Sequence, residues 1–430
     1  MDLIWQRRID RFLGVPLCAL LSLWPRPAPR PGPLRHILVI LLSEMGSLVL
    51  ARPMFEGLRE RHPRARIQAL VFRKNREMLE LLEVIDPSDI LTLDDSSGGR
   101  LLRDALGVLR RLRREGVDAV IDCELFARVS ALLGRLSGAP VQAGFHRHRQ
   151  EGLYRGGFIN RPVLYNPYVH ISQQYLDLAA ALEGGPGAPL VKRPIPAAPL
   201  RVTPLDFPEG EVAALFERLY RDFPGLRGRR LVLIYPGGGL LPIRAWPSKH
   251  YAALIRGLLD DGLAIGLIGL PQDRPLARDL VGASGSRHCA DLTGYTRSVR
   301  ELLLLFQRAA LLVTNDGGPG QFAALTPVPA LVFFGPETPL LYGALSERIH
   351  CLFEPLACSP CLTAYNHRNS PCDGDNQCLK RISAEEGLRW ARKLLDRNIE
   401  GGGMAHAGPP VALGPPGAKG LGQAVKVGSD

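Results

Sequence analysis

Several signatures of common function classes are absent from this 430-residue chain. No GxGxxG follows the first strand-like run, and no GxxxxGK[ST] occurs anywhere, which sets aside a nicotinamide dehydrogenase and a P-loop NTPase. There is no zinc-finger array, no aromatic–basic RNA motif and no heptad seam. Nucleic acid is therefore the weakest anionic partner, although Lys and Arg (53) outnumber Asp and Glu (42) and leave a net charge of +11. Nucleotide phosphates and an anionic membrane surface remain. The N-terminal apolar run RFLGVPLCALLSLW (11–24) is shorter than the ~20 residues a bilayer-spanning helix needs. Asp10, Pro16 and the missing small-residue cleavage site argue against a signal peptide. With Arg residues around it, the run points to a segment lying on a membrane surface, with its apolar side in lipid and its basic side at phosphates. The alternative is a helix packed on the protein's own surface.

What is present is the alternation of strand-like and helix-like stretches along a chain long enough for two cores, which predicts an α/β fold with parallel sheets. Residues 1–35 form the apolar and basic segment. A first Rossmann-like domain is expected over 36–185, a linker over 186–199, and a second Rossmann-like domain over 200–400. The Gly/Pro-rich tail 401–430 has little to bury and is expected to be disordered. The first domain contains HILVILL, RIQALV, DILTL and VDAVIDC as strands. The second contains RRLVLIY, LAIGLIG, ALLVTND and VPALVFFG. Ser248 is expected to cap the helix SKHYAALIRGLLDDG, and Ser383 with Glu386 forms a capping-box signature before the last helix.

Open parallel sheets bind ligands beyond the carboxyl ends of their strands, and three loops of the second domain fall there. YPGGGLLPIRAWP (235–247) offers Gly237, Gly238 and Gly239 for close approach of an anion, with Arg244 as a cation. GLPQDR (269–274) places Asp273 to accept hydrogen bonds from ribose hydroxyls. In TNDGGPGQF (314–322), Asn315 and Asp316 precede Gly317, Gly318, Gly320 and Gln321, whose amides open a helix suited to phosphate. Together the loops describe a site for a nucleotide diphosphate. In the first domain the turn LLSEMGSLVLARP (41–53) offers Glu44, Gly46 and Ser47, and no His, Cys or Lys. Cys358, Cys361, Cys372 and Cys378 fall within 21 residues in a spacing that resembles zinc ligation. Structural zinc, disulfides and free thiols remain open for them. The intervening His367 and Arg368 are expected to overhang the cleft.

The motifs ILVILLSEMGSLVLARP, PGGG…RAWPSKHY, LTGYTRSVREL, LLVTNDGGPGQFAAL, VFFGPETP and CSPC…CDGDNQC carry a resemblance from about Arg35 to Asn398. The sequence resembles glycosyltransferase family 9, the ADP-heptose:lipopolysaccharide heptosyltransferases. The resemblance implies a GT-B fold with two Rossmann-like domains across a cleft, acceptor on the first and nucleotide sugar on the second. It also implies an inverting transfer that needs no cofactor and no catalytic metal. Its partners would be a nucleotide-diphosphate sugar and a lipid-linked or glycan acceptor, at the cytoplasmic face of the inner membrane. Where the family usually has an Asp as general base, this chain has Ser47, whose hydroxyl is too weak a base to act alone. Glu44, three residues earlier, is the nearest carboxylate in sequence. Either it takes the role, another carboxylate reaches in, or the chain binds without catalysis. Gln321 stands where the family commonly has His, and Arg244 where it has Lys. The basic runs RKNR (73–76) and HRHR (146–149) are candidate contacts for acceptor phosphates. A sugar-nucleotide epimerase on the same fold is the remaining enzyme alternative.

Overall fold

The structure is a computed structural model that describes residues 10–400 except 11, 30–31, 43, 147–153, 185–199, 240, 366–369 and 371. The expected linker, the C-terminal tail, most of HRHR, and His367 with Arg368 lie outside the described residues.

The chain folds into two parallel six-stranded sheets flanked by helices, the GT-B arrangement. A short helix α1 (Gly14–Ser22) precedes the first sheet. That sheet takes β1 (His36–Ile40), β2 (Arg66–Phe72), β3 (Ile90–Leu93), β4 (Ala119–Asp122), β5 (Val141–Phe145) and β6 (Arg161–Val163), in the order β3-β2-β1-β4-β5-β6. The helices between them are α2 (Met45–Arg61), α3 (Arg76–Leu81), α4 (Gly98–Glu115) and α5 (Arg128–Leu136), and α6 (Ile171–Ala180) follows. The second sheet takes β7 (Leu231–Tyr235), β8 (Ala264–Gly269), β9 (Cys289–Thr293), β10 (Leu311–Asn315), β11 (Ala330–Phe334) and β12 (Ile349–Phe353), in the order β12-β11-β10-β7-β8-β9. Around it lie α7 (Glu209–Asp222), α8 (Ser248–Asp260), α9 (Arg274–Ser284), α10 (Val299–Arg308), α11 (Gly318–Ala323), α12 (Pro339–Tyr342), α13 (Gln377–Lys380) and α14 (Ala384–Glu400).

The central strands are apolar through most of their length, with polar residues only at their ends (His36, Asp122, Thr314 and Asn315), because helices cover both faces of each sheet. All five residues of β1 and of β7 are buried. The amphipathic α4 starts where the Ser97 hydroxyl accepts the Arg100 amide at 3.3 Å and stops at Gly116 in the left-handed region, φ 74°. One apolar cluster runs from Ile37 and Phe55 in the first domain to Leu233 and Phe322 in the second, so the domains share packing.

The capping expectation for Ser248 is corrected. Pro247 occupies the cap position and Ser248 is the first helical residue, because proline's fixed φ already suits the chain's entry into α8. Ser383 does accept the amide of Glu386, at 3.2 Å. Pro53 is accommodated inside α2. Four strands, β5, β6, β9 and β12, and the helices α7, α12 and α13 go beyond what the pattern predicts.

Candidate active site

The turn after β1 and the turn after β10 meet. A Cβ added to Gly46 would lie 3.1 Å from Gln321 Cγ and 3.6 Å from Gly318 Cα, so the two domains approach closely here and a side chain at Gly46 would press on Gln321. The first turn is fixed from both sides. The Leu42 amide donates to Glu124 Oε1 at 2.6 Å, and the Leu42 carbonyl accepts from Asn75 Nδ2 at 2.7 Å. Glu44 follows in extended conformation as the residue that opens α2, and its carbonyl accepts the Ser47 amide at 3.0 Å. Its charge reaches Asp316 of the second domain, where it helps raise that carboxyl's pKa. Ser47 has a structural partner: its hydroxyl hydrogen-bonds the phenol of Tyr175, which is buried in α6.

In the second domain Asn315 braces the glycine loop. Its Nδ2 donates to the carbonyls of Pro236 (3.1 Å) and Gly237 (2.9 Å), and its Oδ1 accepts from the Trp246 amide and the Tyr251 hydroxyl, each at 2.9 Å. Those bonds commit the side chain to the protein rather than to a ligand. Gly237 has no room for a side chain: a Cβ would sit 2.9 Å from Tyr235 Oη and 3.0 Å from Asp273 Oδ1. Gly238 presses on the Leu241 carbonyl in the same way, and Gly239 takes φ +61°. The first two predicted loops are thus in contact, with Asp273 beside the glycines and its Oδ2 accepting the Leu270 amide at 2.8 Å. Burial and the nearby Asp273 push the Tyr235 phenol up to about 12. Trp246 is packing: it stacks on Phe333 at 4.1 Å and donates Nε1 to the Ile382 carbonyl.

Arg244 lies among acids. Nη2 donates to Glu337 Oε2 at 2.6 Å, and Nε stands 3.5 Å from Asp316 Oδ2, with all three side chains buried. Burial raises the pKa of Asp316 well above the usual carboxylate range. Arg244 pulls it down, while Glu337 and Glu44 add to the rise. The carboxyl therefore keeps its proton to higher pH than an ordinary aspartate, beside the Glu337 carboxyl. A raised native pKa means that this group's contribution to stability is complete below the unfolded carboxyl's pKa and is lost as pH climbs through the native value. Asp316→Asn, which cannot ionise, is expected to gain on the wild type in thermal melts as pH rises. A difference in melting temperature that is flat from pH 5 to 9 would contradict this.

Gln321, buried at the domain junction, donates Nε2 to the Tyr342 carbonyl at 2.7 Å, and its Oε1 has no hydrogen-bond partner among the described residues. Gly317 is extended before α11, and Gly318 and Gly320 lie in its first turn against Phe322 and Val332. The structure brings Glu44, Arg244, Asp316 and Gln321 to the junction, with the glycines beside them. Ser47 faces Tyr175, and Asp273 sits on the β8 side of the loop. The sequence reading passed over Glu337 and Glu124. Glu337 stands in the VFFGPETP motif just beyond β11, and that position was the available signal.

None of the four clustered cysteines is joined in a disulfide among the described residues. Cys361 Sγ lies 3.2 Å from Ser370 Oγ, and Cys378 Sγ donates to Asn376 Oδ1 at 3.3 Å. Burial raises the Cys378 thiol to about 11. Among the described residues no three His, Cys, Asp or Glu side chains converge as a metal site requires. The segment does reach across the cleft: Tyr365 stacks near Phe126 of the first domain and donates to the Tyr165 carbonyl at 3.3 Å. In RKNR, Arg73 pairs with Asp94 and Asp104, Lys74 with Asp95, and Arg76 with Glu80, so these charges have partners within the domain.

The profile of glycosyltransferase family 9 (heptosyltransferase) matches residues 106–370. The chain belongs to glycosyltransferase family 9. The lipopolysaccharide heptosyltransferase 2 of Salmonella typhimurium is 25% identical over 364 residues, covering 84% of this chain and 98% of that protein. The E. coli ADP-heptose lps heptosyltransferase II has the same fold, with TM-score 0.63 at 20% identity over 85% of this chain and 99% of that one. A family 9 glycosyltransferase of Veillonella parvula superposes with TM-score 0.65 at 20% identity, over 86% and 99% of the two chains. In this family 9 member Ser47 is tied to Tyr175, and the carboxylate in the same turn is Glu44.

Proposed function

We propose that this chain transfers heptose from ADP-heptose to a lipopolysaccharide acceptor, with inversion at the anomeric carbon. The observation that supports it most is the junction of Gly46 with Gly318 and Gln321, which brings Glu44 of one domain within electrostatic reach of Asp316, the neighbour of Arg244, in the other. The diphosphate would lie against the glycine loop and the opening of α11. The acceptor hydroxyl attacks the anomeric carbon and gives its proton to Glu44, directly or through one water. The ADP–sugar bond breaks, and the electron pair leaves with ADP, whose charge Arg244 offsets. Purified protein should release ADP from ADP-heptose only when heptose-deficient lipopolysaccharide is supplied. Release without acceptor favours an epimerase or hydrolase. ADP binding without any turnover favours a binding protein, a reading that the engaged Ser47 hydroxyl would suit.

Arg244 must exchange Glu337 for phosphate in this scheme. Arg244→Ala should weaken ADP binding by about 1.5–3 kcal/mol, the range for a charge-assisted hydrogen bond. Glu337→Gln should tighten it severalfold by releasing the guanidinium. Calorimetry on both variants, with melts to confirm folding, checks the pair; shifts of the same sign would remove the exchange from the mechanism.

A further inference from the structure

The N-terminal helix α1 is seated on the first domain by one face and leaves the other bare. Cys18 is fully buried against Ala131, Phe158 and Ile159. Gly14 allows close approach: a Cβ there would meet Arg128 Cβ at 2.8 Å. Asp10 accepts the amides of Arg128 (2.9 Å) and Val129 (3.0 Å) at the start of α5 and pairs with the buried Arg128 guanidinium at 3.0 Å. At the other end the Gly157 amide donates to Ser22 Oγ at 2.8 Å, and Arg135 donates to the carbonyls of Trp24 and Pro25, each at 3.0 Å. Both ends of the helix are therefore fixed by named polar contacts.

The outward face is apolar. Phe12 (71%), Leu13 (60%), Leu17 (46%), Leu20 (63%), Leu23 (84%) and Trp24 (71%) are all exposed, and no charged residue falls within Gly14–Ser22. A soluble surface seldom presents large apolar side chains in such a group without a partner. In sequence the segment is bracketed by Arg7, Arg8, Arg11 and Arg30, with Arg26 turned to the Pro140 carbonyl and Gln142 Oε1 (each 3.5 Å), against Asp2 and Asp10, and Asp10 is already paired with Arg128. A bare apolar strip within cationic flanks complements an anionic phospholipid bilayer: apolar side chains enter the acyl boundary, arginines meet phosphates, and tryptophan favours the interface. A second copy of this chain would bring the same positive flanks against each other.

We propose that α1 is a pre-seated docking element that holds the first domain on an anionic phospholipid surface. No helix among the described residues is long and apolar enough to cross a membrane, so the contact is interfacial. The full chain should sediment with phosphatidylglycerol–phosphatidylcholine vesicles, and less with phosphatidylcholine alone or at high salt. Leu17→Gln, Leu20→Gln and Leu23→Gln combined should lower vesicle affinity about tenfold or more, with ADP binding and melting temperature unchanged. Brominated acyl chains should quench the fluorescence of the wild type, and Trp24→Phe should remove most of that quenching. Equal vesicle affinity of the triple variant and the wild type overturns the proposal. So does a concentration-dependent dimer that the triple variant abolishes without any vesicle binding. Neither result depends on sugar transfer, so the transferase reading is tested separately.

Discussion

Glu44→Gln is expected to slow heptose transfer about 10²-fold or more, with ADP affinity unchanged, the scale of a lost general base. The substitution keeps the size of the side chain and most of its hydrogen bonding, and removes its basicity. Glu44 opens α2 at the place where the first domain touches the second, and its charge is felt by Asp316. Ser47, in the same turn, has its hydroxyl engaged with Tyr175. Ser47→Asp in the Glu44→Gln background should restore part of the rate, since the carboxylate returns within the same turn. Transfer by Glu44→Gln at the wild-type rate would move the search to Glu124, which holds the Leu42 amide just ahead of the turn.

Arg155→Met should cost about 3–5 kcal/mol of stability, because it leaves a fully buried carboxylate without its counter-charge. Neither Arg155 nor Asp122 exposes any surface. The guanidinium pairs with Asp122 and also donates to Ser130 Oγ (3.1 Å) and to the carbonyls of Ala127 (3.0 Å), Glu124 (3.0 Å) and Phe145 (3.2 Å). It thereby ties the ends of β4 and β5 to the start of α5. Burial pushes the Asp122 carboxyl up to about 6 and Arg155 pulls against that rise, so at neutral pH the native pair is ionised. Without Arg155 the proton is held more tightly, and the loss should shrink at pH 5, where protonation removes the stranded charge. Urea denaturation at pH 8 and pH 5 measures both. A loss below about 1 kcal/mol at pH 8 would mean that water replaces the guanidinium.

The long apolar strands were legible in the sequence because a strand covered on both faces has no polar positions to blur it, as in HILVI and LVLIY. The strands that escaped are short or carry polar residues: β6 is Arg161-Pro162-Val163, and β9 contains Asp291. The glycine loops could be read because glycines after a strand mark close backbone approach. The roles of individual polar residues could not. Asn315 reads as a ligand contact in sequence, yet its bonds to Pro236, Gly237, Trp246 and Tyr251 exist only once loops about 65 to 80 positions away are folded beside it. Arg155 and Asp122 are 33 residues apart, and Arg244 and Glu337 are 93 apart. No local pattern announces such pairs. The N-terminal segment posed two alternatives, a membrane face or a protein face. Its helix has a buried side and a bare side, and the sequence did not say which residues fell on which.

Where Gly46 meets Gln321, the missing side chain works as a clearance. A methyl group there would stand 3.1 Å from Gln321 Cγ, so the glutamine would have to give by a few tenths of an ångström. At that point the fit between the two domains is set by a single hydrogen atom and by the give of one flexible side chain.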